Sequence, residues 1–456
     1  MNKLIMSEND ERIIRVGSRR SQLALIQTNI AINLLKDKHP NLRFEVVKIS
    51  TIGDKILDVA LSKIGDKSLF TKELENALMD GTVDFVVHSL KDVPTGMPPG
   101  LVLGCVFDRT SPDDVVLMSP SNRGRKLSDL PEGSLVGTSA LRRVATLTRL
   151  YPHLNFVSIR GNLNTRLKKL DEGCAVTSFS VGNTESPVPL IKYDAIILAK
   201  AGIQRLGWSD RIDQVLDDCY HAVSQGALAC ECRQNDDFIL SVLADLHNES
   251  AALSCIAERS LMRHLDGGCS TPIGVRTRFS PNTGGHPWFL QLHANVLSTN
   301  GAQCVKGSVV TELPCRLIQT GKRCNSSDIH KESASPTRRT KIPRLAFPST
   351  DIVSLSTTSN LSEKLESSMD KQLNVIQDPT GDELCLARDS SSVFMGIHVR
   401  PACAVARLRM ARAQSLGSVL AAHLLTAGAD RILDKIRSNL LPKPSETTFE
   451  KSQCKL

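Results

Sequence analysis

The sequence predicts an α/β fold, and three observations carry that reading. Short apolar runs of strand length alternate with segments whose apolar residues recur at helical spacing. The alternation starts again near Ser111, and a pattern of glycine, hydroxyls and arginines occupies the same strand-to-helix place in both units. In the first unit, residues 13–17 form a short apolar strand. Residues 21–36 follow with Leu23, Ile26, Ile30 and Leu34 on one helical face, and 44–49 is a second strand. Residues 71–79 read as a helix, with Thr71 as its cap and Glu73 and Glu75 near the positive end of the dipole. Residues 83–87 make a buried strand. In the second unit 135–137, 155–159 and 193–198 read as strands, and 139–150 and 162–170 as helices. Such alternation predicts a mostly parallel sheet that binds ligands at the carboxyl ends of its strands.

The chain has 456 residues, enough for roughly two to four domains, which excludes a small disulfide scaffold or a lone binding module. Hydrophobic residues at 41% and charged residues at 23% are an ordinary globular balance. No run approaches the ~18 apolar residues of a membrane span, and residues 1–10 lack the apolar core of a secretory signal. Thirteen cysteines, an odd number, read as reduced thiols, so the expected location is the cytoplasm, with no membrane contact. The net charge of +8 is local: residues 313–346 carry eight basic side chains against two acidic ones. That segment and the Ser/Thr-rich run 348–368 lack apolar periodicity and read as a disordered insertion, so the basic excess does not imply a nucleic-acid partner.

Val16-Gly17-Ser18-Arg19-Arg20-Ser21 opens the first unit, and Val136-Gly137-Thr138-Ser139-Ala140-Leu141-Arg142-Arg143 its counterpart. Each places arginines and hydroxyls at a helix amino terminus, where free N–H groups favour an anion. Two such units facing each other would grip a polyanion; the alternative is a capped helix with solvated arginines. Further arginines recur after strands: Arg160, Arg166 and Arg205. Guanidinium forks match carboxylates, and neither a GxxxxGK[ST] loop nor a GxGxxG fingerprint points to a nucleotide. At the end of a buried strand, HSLKDVPT (88–95) sets Asp92 beside Lys91, either as a general acid/base or as an ordinary turn. GGCSTP (267–272) places the Cys269 thiol in a glycine-rich loop, as a reactive group or as a small hydrophobe.

These motifs together resemble the porphobilinogen deaminase (hydroxymethylbilane synthase) family. The stretches RVGSRRSQLALIQT (15–28), STIGDKILDVALSKIGDKSLFTKELENAL (50–78), VDFVVHSLKDVPT (83–95), VGTSALRR (136–143), IRGNLNTRL (159–167) and ERSLMRHLDGGCSTPIG (258–274) occur in the family's order. The resemblance implies a transferase that joins four porphobilinogen molecules head to tail on a covalent dipyrromethane primer and then hydrolyses off hydroxymethylbilane. By the same resemblance Cys269 carries the primer through a thioether, and Asp92 is the catalytic acid/base. Lys91, Ser21, Thr138, Ser139, Arg142 and Arg143 would contact the cofactor, and Arg19, Arg160, Arg166 and Arg205 the substrate carboxylates. No metal is expected. Residues 50–67 would be a mobile segment over the cleft, and Phe70 would pack either on the pyrroles or in the core.

The implied architecture is three α/β domains: the first two resemble type II periplasmic binding proteins, and a smaller third carries the cofactor cysteine. Their expected bounds are 12–109 plus 224–247, then 110–223, then 248–456, in a monomeric protein. Residues 174–189 and about 313–393 read as insertions, Ala140 stands where the family often has a second serine, and Ser224 replaces a glycine usual before QGAL. A two-lobed anion-binding protein without chemistry is the competing reading; it leaves the combination of Asp92 with Cys269 unexplained.

Overall fold

The computed structural model describes residues 12–55, 70–175, 190–268, 271–280, 288–314, 374–376, 392–398 and 403–440. The first sheet has seven strands in the order Val393–Phe394, Ile397–His398, Leu101–Val106, Leu228–Arg233, Phe85–Ser89, Ile13–Arg19, Arg43–Ile49. The second has five, in the order Gln214–Leu216, Asp114–Met118, Ala195–Ala199, Leu135–Gly137, Asn155–Val157.

The two sheets share one plan. In each, the first strand of the unit lies parallel between the second and the third. Beyond the third strand comes an antiparallel strand next to the point where the chain crosses between lobes: Leu228–Arg233 in one, Asp114–Met118 in the other. The α/β class is therefore as expected, but each sheet is mixed rather than mostly parallel. Leu101–Val106 and Asp114–Met118 are buried at every position. Strands covered on both faces carry no alternation from which to read a direction.

The sequence echo has a packing cause. Gly17 pairs with Val86 and Gly137 with Ile196, at equivalent places. A Cβ on Gly17 would lie 2.5 Å from the Val86 side chain, and one on Gly137 2.9 Å from the Tyr193 ring. Only glycine lets the third strand approach this closely.

Helix Gln22–Lys38 starts at Ser21, whose hydroxyl accepts from the Ala24 N–H at 3.3 Å. Helix Lys72–Met79 differs from expectation at its start: Thr71 has helical rather than extended φ/ψ, so its hydroxyl caps nothing.

The third unit is an antiparallel sheet, Ile273–Ser280, Trp288–Leu297 and Cys304–Leu313. It packs on helices Glu249–His264, Ala404–Leu424 and Asp430–Leu440 through one core that includes Leu253, Ile256, Leu292, Val309, Leu416 and Leu420. Residues 374–376 fall inside the segment expected to be a disordered insertion, yet Asn374–Ile376 pairs in parallel with Cys304–Leu313. Their Val-Ile pair supplies β-forming residues to an otherwise open edge. Residues 393–398 are likewise ordered, and Ile397 pairs with Leu103 of the first sheet. Most of both expected insertions, and residues 56–67 of the segment expected over the cleft, lie outside the described residues.

Candidate active site

Strand Phe85–Ser89 delivers its end to a 3-10 turn, Leu90–Asp92. Leu90 is fully buried and its N–H donates to Ala227 O at 3.0 Å, which leaves Asp92 exposed at the mouth of a recess. The recess is lined by Arg19, Gln27, Phe70, Thr71, Ser89 and Asp92 among others. The Arg19 guanidinium lies 4.4 Å above the Phe70 ring, and Gln27 Nε2 donates to Ser89 Oγ at 2.9 Å. Phe70 is half-buried: the ring packs against Gly53 and also forms part of the wall. The Thr71 hydroxyl is buried, with no hydrogen-bond partner among the described residues.

Lys91 stands beside Asp92 in the same turn, and the facing lobe adds arginines. Burial lowers the Lys91 pKa; Arg143 and Arg166 push it the same way, while Asp92 and Asp114 oppose. Burial, reinforced by Arg143 and Arg160, brings Arg166 down to about 10, against the pull of Asp92. The site therefore holds one exposed carboxylate within the field of several fixed cations. Such an excess of positive charge in a partly dry cleft favours multi-carboxylate ligands.

Arg142 and Arg143 are oriented by a residue that the sequence did not single out. Asp114 accepts from Arg142 Nη2, Arg143 Nη2 and Gln225 Nε2, each at 2.8 Å. Burial would raise its pKa, but the two arginines outweigh burial and hold the carboxyl well below the usual range. Arg142 turns towards Tyr220 O, whereas Arg143, also bonded to Ile197 O, acts electrostatically on Lys91, and its buried Nε has no partner among the described residues. The sequence offers Asp113 and Asp114 side by side before an apolar strand, with nothing to separate them.

The other expected residues fall in three places. Thr138 is buried, and Ser139 is exposed with its hydroxyl donating to Ile159 O at 2.5 Å. Ala140 stands at the start of helix Leu141–Leu150, which no side chain caps. Arg160 Nε lies 3.3 Å from Ser158 Oγ, and Arg166 Nε donates to Gly161 O at 2.8 Å. Arg205 is not brought to the recess: it donates to Thr110 Oγ1 and Gly226 O, tying together the two crossing segments. Cys269 and Ser270 lie outside the described residues, between Gly268 and Thr271, whose backbones are joined by a 3.0 Å hydrogen bond.

Two family models match the chain. Residues 14–241 match the family model described as "Porphobilinogen deaminase, dipyromethane cofactor binding domain", and 252–325 the one described as "Porphobilinogen deaminase, C-terminal domain". The chain belongs to the porphobilinogen deaminase family. The porphobilinogen deaminase of Gloeobacter violaceus is 52% identical over 269 residues, covering 58% of this chain and 76% of that protein. That of Synechococcus elongatus is 47% identical over 306 residues, covering 67% and 88%. Among solved structures, the periplasmic VFT2 domain of Bordetella pertussis BvgS aligns with 53% of this chain and 92% of its own, at 15% identity and TM-score 0.29.

The residues present suit the family's dipyrromethane. A flat aromatic wall at Phe70, the Arg19 guanidinium, the orphaned Thr71 hydroxyl and the unpartnered Arg143 Nε match pyrrole rings that bear acetate and propionate groups.

Proposed function

We propose that this protein deaminates porphobilinogen and joins four molecules of it head to tail on a dipyrromethane held by Cys269, then releases hydroxymethylbilane by hydrolysis. The dipyrromethane, when bound, supplies the nucleophilic pyrrole carbon from which the chain grows. Asp92 hands a proton to the departing amine as the C–N bond breaks, and as the carboxylate it then faces the cationic pyrrole left behind. After C–C bond formation it takes up the proton lost from the attacked carbon, so it is restored for the next identical round. Lys91, Arg143 and Arg166, with Arg19 and Arg160, hold the acetates and propionates and keep the reacting carbons aligned. Ser21, Thr138, Ser139 and Arg142 support that wall through the helix starts and Asp114. Arg205 serves the crossing rather than the substrate.

The observation that carries this reading is the single exposed carboxylate of Asp92 in the field of Lys91, Arg143 and Arg166. A purely anion-binding protein would gain nothing from a carboxylate there. Three domains, 12–109 plus 224–247, 110–223 and 248–456, follow from the two crossings between sheets, with residues 393–398 of the third added to the edge of the first sheet. We further infer a cytoplasmic monomer that acts on small molecules, without nucleic-acid or membrane partners; among the described residues no helix is long and apolar enough to cross a membrane. The test is the intact mass of the purified protein beside Cys269→Ala. Two linked pyrrole units on the parent, absent from the variant, are expected. A parent that stays unmodified after incubation with porphobilinogen would refute the assignment.

A further inference from the structure

Helix Glu249–His264 leads along the chain to the loop that contains Cys269. Its Arg259 is among the largest fully buried side chains of the molecule, at 1% exposure. Among the described residues no carboxylate lies within ion-pair distance of it. Its donors go to main-chain carbonyls instead: Nε to Met395 O at 3.2 Å, Nη1 to Val93 O at 3.0 Å and Nη2 to Pro94 O at 2.7 Å. One helical turn later, Arg263 donates to Thr95 O. The three consecutive carbonyls after Asp92 are thus all held by arginines of one helix.

A buried guanidinium without a counter-ion is costly, and burial brings the pKa of this one down to about 10. What a planar fork does that a lysine cannot is meet two adjacent carbonyls at fixed angles. The turn needs such a hold, because Pro94 has no N–H and the Val93 N–H is already given to Leu90 O.

We propose that Arg259 is a positioning residue of the reaction: by fixing the Val93–Pro94 main chain it aims the Asp92 carboxylate, with Arg263 as a weaker second hold. The inference rests on the reading of Asp92 as acid/base. It adds that the aim of this group is set by the helix that precedes the cofactor loop.

The test compares full-length Arg259→Lys and Arg263→Gln with the parent, each loaded to completion with porphobilinogen as checked by intact mass. For Arg259→Lys, kcat falls about 10–100-fold, the scale of a small misplacement of a reacting group, while KM for porphobilinogen stays within about twofold. The acid limb of its kcat–pH profile also shifts, which a merely structural loss would not produce. Arg263→Gln, a change on an exposed residue, lowers kcat roughly two- to fivefold with KM unchanged, as expected for one main-chain hydrogen bond. A loaded Arg259→Lys protein with parental kcat and pH profile overturns the proposal. Should that variant not fold or not load, Arg263→Gln decides: parental kinetics overturn the proposal, and a kcat loss at constant KM upholds it. A parent that fails to turn over porphobilinogen would sink the underlying function instead, so the two failures are distinguishable.

Discussion

Ser224 is a residue this chain would be better off without. It lies where the chain returns to the first sheet, with φ of 60°, in the left-handed region that costs a residue with a Cβ roughly 1–2 kcal/mol. It is completely buried, and its hydroxyl has no hydrogen-bond partner of good geometry, only the Cys255 thiol nearby. An unpaired buried hydroxyl costs about 1–3 kcal/mol. Its backbone N–H, which donates to Glu258 Oε2 at 2.7 Å, is kept in any variant except proline. Ser224→Gly therefore relieves both penalties, offset by about 0.4–1 kcal/mol of added freedom in the unfolded chain and a small void. The expected net gain is about 1–3 kcal/mol, or a rise of a few °C in Tm. Differential scanning fluorimetry of parent, Ser224→Ala and Ser224→Gly, matched for cofactor loading, should give Tm values increasing in that order. Alanine removes the unpaired hydroxyl but leaves the Cβ strain, so it separates the two causes. A Tm for the glycine variant equal to or below that of the parent would refute both the strain and the burial argument.

Asp92→Asn keeps shape but cannot exchange a proton, so steady-state assays should show kcat lower by roughly 10²–10⁴-fold with an unchanged Tm. Near-normal turnover would withdraw the acid/base role. Glu258 accepts from Arg109 Nη1 at 2.8 Å and Nη2 at 3.1 Å, from Thr277 Oγ1 at 2.7 Å and from the Ser224 N–H. Glu258→Gln leaves Arg109 uncompensated and should cost about 3–5 kcal/mol, against which a Tm within ~2 °C of the parent would count. His221 is buried and neutral, its pKa pushed from 6.5 down to about 4 chiefly by burial. Its share of stability, about 3 kcal/mol, is complete above pH 6.5 and is lost as pH falls towards 4. Denaturation midpoints taken from pH 7 to 4 should fall less steeply in a folded His221→Gln variant, and equal slopes would contradict the assignment.

Much of the first two lobes was legible because their strands and helices are short, apolar and regularly spaced. The starts of strands 13–19 and 135–137 and of helices 22–38 and 163–172 fall within two residues of their expected places. Strands 101–106 and 228–233 were missed, and the reversed direction of 228–233 depends on a crossing that no local pattern announces. Asp92 and the arginines could be found from their place at strand ends. Asp114, Glu258 and Arg259 could not. A charge inside a strand or helix looks like a solvated one until its partners, here 19 to 166 residues away in the chain, are brought to it.

Those hidden charges explain how the site holds its shape. The lobes follow one plan but contribute unlike groups, the Asp92 carboxylate with Lys91 and Arg19 from the first and the Arg142, Arg143 and Arg166 guanidiniums from the second. Two adjacent buried guanidiniums would repel each other and take up several orientations. Asp114 cancels one of the two charges and fixes both planes. Because its pKa is far below the usual range, it does so at every pH at which the enzyme would work. The site thus gives up part of its attraction for anions and gains fixed direction in what remains, Arg143 held by Ile197 O and Arg142 turned towards the crossing. Helix 249–264 does the same for the opposing wall. Glu258 joins Arg109 and Ser224, one from each crossing, to Thr277 of the third sheet, and Arg259 secures the turn behind Asp92. In both walls a buried charge bonds to protein groups and so fixes the direction of its neighbour, and under the proposed function that is the condition for electrostatic stabilisation without reorganisation during the reaction.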